Sequence, residues 1–203
     1  MIHVNEAEGV WTVTIDRPEK ANSLTREMLM TILEAAEAAD RSAAHAFVLR
    51  GTGKVFSAGA DLDAARAGLA TDWVWEKLSG AVASLHCLTI AALNGTLAGG
   101  AMGMVLACDL RICVPEAKFF YPVMKLGFLP QPSDPKRLVN LVGPARAKMI
   151  LMAGQKIGAE EALGWGLVDR IVPAETMDAA IATLLADVKV ADPGHIGAIK
   201  GLI

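Results

Sequence analysis

The stretch from Leu88 to Leu110 is the most apolar in the chain, and it is interrupted by Asn94, Gly95, Gly99, Gly100, Gly103 and Asp109. A membrane-spanning helix needs about 20 apolar residues with few interruptions. Glycines at this density instead punctuate a strand, a turn and a closely packed helix. Thr89–Leu93 therefore reads as a strand, Asn94-Gly95 as a turn, and Gly99-Gly100 as the opening of a small-residue helix through Ala107.

The same alternation recurs elsewhere. Val10–Ile15 (V-W-T-V-T-I) has the β-branched alternation of a strand. Thr25 is placed to cap a helix to about Ala39, with Met28, Leu29, Ile32, Leu33 and Ala36 on one stripe. Ala46–Arg50 is a buried-strand candidate, and Ser57-Ala58-Gly59-Ala60-Asp61 is a small-residue loop whose Asp61 suits an N-cap. A helix over Trp73–Leu85 and short strands at Leu110–Val114 and Lys118–Phe120 follow. Two helices, Lys136–Leu141 and Ala145–Met152, are split by Gly143-Pro144. Ala159–Trp165 and Met177–Val188 are the last helical patterns. Strands alternating with helices predict an α/β fold, and 203 residues without a linker or repeat predict a single domain over 1–203.

Charge and cysteine usage narrow the function. Nineteen Lys+Arg against 22 Asp+Glu leave a net charge of −3, so no basic footprint for nucleic acid or an anionic membrane is present. Cys87, Cys108 and Cys113 form an odd set without CxxC spacing, each in an apolar run; they read as small hydrophobes, and neither a disulfide framework nor a metal site is expected. The N-terminal MIHVNEAEGV lacks the basic and apolar regions of a secretory signal, which points to a cytoplasmic protein. His3, His45, His86 and His195 are scattered, without ligand spacing. Neither G-x-G-x-x-G after a strand nor a Walker pattern ending G-K-[ST] is present. Ser57 lacks a G-x-S-x-G elbow, which argues against a serine triad with His86.

Two segments carry the chemistry: Lys54-Val55-Phe56-Ser57-Ala58-Gly59-Ala60-Asp61-Leu62 and Ala92-Leu93-Asn94-Gly95-Thr96-Leu97-Ala98-Gly99-Gly100-Ala101. Each sets a strand, then side-chain-poor backbone, then a helix start, where backbone N–H groups lack partners. Two such groups converging on one point make an oxyanion hole, and small residues leave room for the group being bound. Taken singly, either loop is equally compatible with glycines that serve only tight packing.

In this order and spacing the segments resemble the crotonase superfamily, which includes the enoyl-CoA hydratases and isomerases. The resemblance extends over nearly the whole chain. It includes Asp16-Arg17-Pro18 with Asn22-Ser23-Leu24, Ala107-Cys108-Asp109-Leu110-Arg111-Ile112, and Leu126-Gly127 with Pro130 and Arg137-Leu138. Gly154, Ala159, Ala162, Gly166-Leu167-Val168-Asp169 and Val172-Pro173 complete it. It implies a crotonase-like spiral of ββα units that binds coenzyme A thioesters, assembled as a homotrimer or hexamer. No metal or redox cofactor is implied, coenzyme A being part of the substrate. By position, the N–H groups of Ala60 and Gly100 would form the oxyanion hole. Ala21, Ser57, Ala58, Asp61, Leu62 and Gly99 would surround the thioester and its coenzyme A. The chain stops near the start of the C-terminal helices that many relatives carry, so most of that extension is expected to be missing.

The sequence also departs from the pattern. The two positions where the hydratases carry glutamates are Gly103 and Val123, and neither residue can move a proton. Near the same rim lie Tyr121, Gln131, where some relatives have a catalytic aspartate, and Asp134. Asp134 is a candidate acid or base if burial raises its pKa. Ser133-Asp134-Pro135 reads equally as a helix start, with Ser or Asp capping and Pro in the first turn. Tyr121 is a candidate hydrogen-bond donor or a packed strand aromatic. Trp73 and Trp75 are candidates for lining the acyl chamber. The expected function is an acyl-CoA-binding enzyme that stabilises a thioester enolate, the alternative being a non-catalytic acyl-CoA binder or partner subunit.

Overall fold

The computed structural model describes residues 1–203. Its ten strands are β1 (Ile2–Ala7), β2 (Val10–Ile15), β3 (Ala46–Gly51), β4 (Val55–Ser57), β5 (Leu88–Leu93), β6 (Thr96–Ala98), β7 (Leu110–Cys113), β8 (Lys118–Phe120), β9 (Ile157–Gly158) and β10 (Arg170–Ile171). The nine α-helices are α1 (Arg26–Arg41), α2 (Leu62–Arg66), α3 (Val74–Ser84), α4 (Met102–Leu106), α5 (Val123–Leu126), α6 (Asp134–Leu151), α7 (Ala159–Trp165), α8 (Met177–Leu185) and α9 (Pro193–Lys200). No helix is long and apolar enough to cross a membrane.

The strands form two sheets, ordered β1-β2-β3-β5-β7-β10 and β4-β6-β8-β9. Successive turns of chain each give a strand to the first sheet, a short strand to the second, and then helix. β3, β5 and β7 therefore stack in parallel in one sheet, while β4, β6 and β8 stack in parallel in the other. That is the spiral of ββα units implied by the crotonase resemblance. β3 and β5 are buried on both faces, as parallel strands between layers must be. This explains why Ala46–Leu49 and Ile90–Leu93 read as continuous apolar runs rather than alternating ones.

Local signals place the helices. The Thr25 hydroxyl accepts from the Met28 N–H and starts α1, whose stripe of Met28, Leu29, Ile32, Leu33 and Ala36 enters the core. Asp61 accepts from the N–H groups of Asp63 and Ala64 and starts α2. The two helices expected around Gly143-Pro144 form one continuous run with a kink, where Gly143 takes φ 78° and ψ 165°. The Asn94 amide donates to the carbonyls of Thr52, Gly53 and Val55, fastening the second glycine loop to the strand pair before it. A Cβ on Gly95 would lie 2.0 Å from the Lys54 carbonyl oxygen, so the close approach of these segments requires glycine there.

Buried Arg111 ties the closing segment to the sheet. Its guanidinium donates to the carbonyls of Leu167, Cys108 and Asp109 and pairs with Asp169. The family resemblance had marked both Asp109-Leu110-Arg111 and Gly166-Leu167-Val168-Asp169, and this network is the physical reason they belong together. Lys200 in α9 donates to the Cys87 carbonyl and to Asp109, which itself accepts from the N–H and hydroxyl of Thr89.

Candidate active site

The two glycine loops meet backbone to backbone. A Cβ on Gly59 would sit 3.0 Å from the Ala98 carbonyl oxygen and 3.4 Å from the Gly100 nitrogen, and Gly59 holds φ +90°. Glycine is therefore required twice over at position 59, for its conformation and for the contact. Leu24 forms an isolated parallel bridge with Ala60: its N–H donates to the Gly59 carbonyl and its own carbonyl accepts from the Asp61 N–H. Ala60 lies between these two bonds, and its own N–H has no backbone partner. Gly100 lies in the first turn of a 3-10 helix (Gly99–Ala101), where amide groups find no partner within the helix.

Ala58, Ala60, Gly99 and Gly100 line one cavity of about 160 Å3, walled also by Leu62, Trp75, Tyr121, Val123, Phe128 and Gln131. Of the residues singled out in the sequence, this cavity brings together Ala58, Ala60, Leu62, Trp75, Gly99, Gly100, Tyr121 and Gln131, whereas Trp73 is exposed and lies outside it. Ser57 is fully buried instead. Its hydroxyl donates to the Asn22 carbonyl and accepts from the Gly59 N–H, so it braces the loop from behind. Asp61 is occupied by its helix cap and by Arg17 at 2.9 Å, which hold its carboxyl below the usual range. Ala21 has φ +50°, and its carbonyl accepts from the Ala58 N–H.

Asp134 begins α6 with Ser133 at the N-cap position and Pro135 in the first turn, as the sequence indicated. Neither the Ser133 nor the Asp134 side chain, however, makes the expected capping hydrogen bond. Ser133 gives its hydroxyl and its N–H to the Glu76 carboxylate. Asp134 is 1% exposed and turns inward, where its Oδ2 accepts from the Tyr121 hydroxyl at 2.9 Å. Its Oδ1 is buried without a partner. Burial pushes the carboxyl from 3.8 up to about 6, against the lowering effects of the Tyr121 hydrogen bond and of Arg137. The same burial, with the Asp134 charge beside it, drives the Tyr121 phenol far above its ordinary value. Tyr121 thus lies just past the end of β8 rather than in the strand, as a buried aromatic that also donates a hydrogen bond. Gln131 reaches the Ala70 carbonyl with its Nε2.

Sequence reading missed the partner of Gly103. A Cβ there would stand 2.8 Å from Asp134 Oδ1. The absence of a side chain at 103 is what lets the Asp134 carboxylate in, from 31 residues further along the chain. No local signal reveals a pairing between a helix interior and the start of a distant helix. Trp75, which the sequence marks for this chamber, meets Gly100 by an equally long-range contact. Three of its ring carbons lie 3.3 Å from where a Cβ on Gly100 would be, so the indole lies flat against that glycine. Its Nε1 donates to the Leu69 carbonyl.

A stacked spiral of ββα turns, with two glycine loops meeting at a small cavity, defines a crotonase-superfamily protein. The model of the enoyl-CoA hydratase/isomerase family matches residues 5–201, and the chain belongs to that family. It is 32% identical to a 4-chlorobenzoyl coenzyme A dehalogenase of an Arthrobacter species, over 100% of this chain and 77% of that protein. It is 35% identical to a probable enoyl-CoA hydratase of Mycobacterium bovis, over 84% of this chain and 70% of that one. Among solved structures, an enoyl-CoA hydratase/isomerase family member superposes with a TM-score of 0.90 at 31% identity, covering 99% of this chain and 81% of the other. The enoyl-CoA hydratase of Bacillus anthracis gives 0.90 at 29% identity, covering 98% and 81%. The chain is an enzyme of the enoyl-CoA hydratase/isomerase type.

Proposed function

We propose that the cavity binds the acyl end of a coenzyme A thioester and that the N–H groups of Ala60 and Gly100 hold its carbonyl oxygen, so that the enolate forms there. The observation that carries this reading is the unpartnered Ala60 N–H beside Gly100, on two loops that touch and line one cavity. Donors of this kind stabilise charge as it grows on the oxygen, and losing one typically costs about 10²–10³ in rate. Ala58, Leu62 and Gly99 at the cavity, and Ala21 beside the same loop, lie along the path assigned to coenzyme A, which enters as part of the substrate.

In this reading proton traffic passes through Tyr121 and Asp134. The phenol oxygen lines the cavity side of the pair and takes a proton from the substrate as its own proton passes to Asp134 Oδ2. A carboxyl near 6 is matched to exchange at neutral pH. Gly103 and Val123, where the resemblance places glutamates, offer no such group. That observation also supports a second reading, an acyl-CoA binder without turnover. A homotrimer or hexamer is the proposed assembly.

Ala60→Pro tests the oxyanion role, because it deletes the Ala60 N–H while leaving both bonds of the Leu24 bridge in place. The proline ring Cδ also stands where the amide hydrogen met the thioester oxygen, so crotonyl-CoA should bind more weakly by calorimetry and any turnover should fall by about 10²-fold or more. Binding without turnover in the unaltered protein, across a panel of acyl-CoA thioesters, selects the second reading. No heat with any thioester refutes both.

A further inference from the structure

The cavity's walls restrict what acyl group it accepts. No residue lining it carries a charge. Its polar side chains are already engaged: the Tyr121 hydroxyl with Asp134, the Gln131 amide with the Ala70 carbonyl, and the Trp75 Nε1 with the Leu69 carbonyl. Behind Tyr121 stand two carboxylates, buried Asp134 and Glu76, and both would repel a further one. Arg137, whose charge acts on Asp134, is turned to the hydroxyl and carbonyl of Ser79. An acyl group ending in a carboxylate would be desolvated with nothing to pair it.

Size and shape are limited as well. An apolar cavity of roughly 150 Å3 takes one benzene ring, and this one measures about 160 Å3. The indole of Trp75 lies flat beside Gly100, so the acyl group leaving a thioester held at that amide runs along an aromatic face. Stacking on such a face favours a planar group.

Resting on the thioester reading above, we infer that this site takes an uncharged, flat acyl group of about one six-membered ring or an equally bulky short enoyl chain, and that Trp75 sets the length limit. Carboxylated acyl groups and long chains are excluded, and with them decarboxylation of malonyl-type thioesters.

Calorimetric titration of the unaltered protein with crotonyl-, benzoyl-, malonyl- and decanoyl-CoA isolates the acyl contribution, because the coenzyme A portion is the same in all. Crotonyl- and benzoyl-CoA should bind at least about 10-fold more tightly than the other two. Trp75→Leu should recover decanoyl-CoA binding by about 10-fold or more while leaving malonyl-CoA weak. Trp75→Phe, which keeps a ring in place, should retain the selectivity. Malonyl-CoA binding as well as crotonyl-CoA overturns the charge argument, and decanoyl-CoA binding as well as crotonyl-CoA overturns the size limit. Those results leave the thioester reading intact, whereas silence with all four ligands removes that reading and this inference together.

Discussion

Replacing Asp134 with asparagine isolates the cost of holding a carboxylate inside this protein. Burial raises the Asp134 carboxyl from 3.8 to about 6. In the window between those values the unfolded chain has released the proton while the folded chain keeps it. The folded state therefore binds more protons there, and stability falls as pH rises through the window. Above about 6 the whole penalty is present. At about 1.4 kcal/mol per tenfold change in proton affinity it amounts to roughly 3 kcal/mol, an order-of-magnitude figure for so buried a group. Asparagine has nearly the same shape, can accept the Tyr121 hydroxyl, and never ionises. Its amide facing Gly103 carries a desolvation cost of about 1–3 kcal/mol that does not vary with pH. The discriminating quantity is accordingly the change in the stability difference with pH. Urea unfolding of both proteins at several values from 4.5 to 8 should show the variant gaining on the unaltered protein by about 2 kcal/mol across that range, since part of the penalty is already present at 4.5. A difference that stays flat with pH would refute the reasoning, since it would mean that the carboxyl titrates alike in both states. A protein that keeps so costly a carboxyl beside a cavity has reason to use it, and loss of turnover in the same variant would join stability cost to chemistry.

Two further outcomes follow from the geometry. Gly103→Ala puts a methyl group 2.8 Å from Asp134 Oδ1, so the carboxylate must swing and weaken its bond to Tyr121; a loss of about 1–3 kcal/mol in urea unfolding is expected. No loss would show that Asp134 has room to move. Burial pushes the thiols of Cys87 up to about 11 and of Cys108 and Cys113 up to about 12. A thiol-specific disulfide reagent at pH 8 should therefore find no fast-reacting cysteine until the protein is denatured, and one rapidly modified thiol in the native state would contradict this.

Much of the architecture was legible because its signals are local. Thr25 and Asp61 each present a side-chain oxygen to the N–H groups two or three residues on, so capping can be read from the order of residues alone. Gly143-Pro144 announces its kink in the same way. Less visible were the short strands β4, β6, β9 and β10, each of two or three residues, and the edge strand β1, five of whose six residues are exposed. These have too little apolar periodicity to stand out, and they exist because neighbouring turns of the spiral supply their partners.

The order of residues by itself determined the two side-chain-poor loops and the strand-helix alternation, because each depends on neighbours within a few positions. Only the tertiary structure decided that Asp134 turns away from its helix end toward Tyr121, that Gly103 makes the space it occupies, and that the Trp75 indole lies on Gly100. These meetings join residues distant in sequence, and their energies arise from desolvation and close contact, which take effect only once the turns of the spiral have stacked.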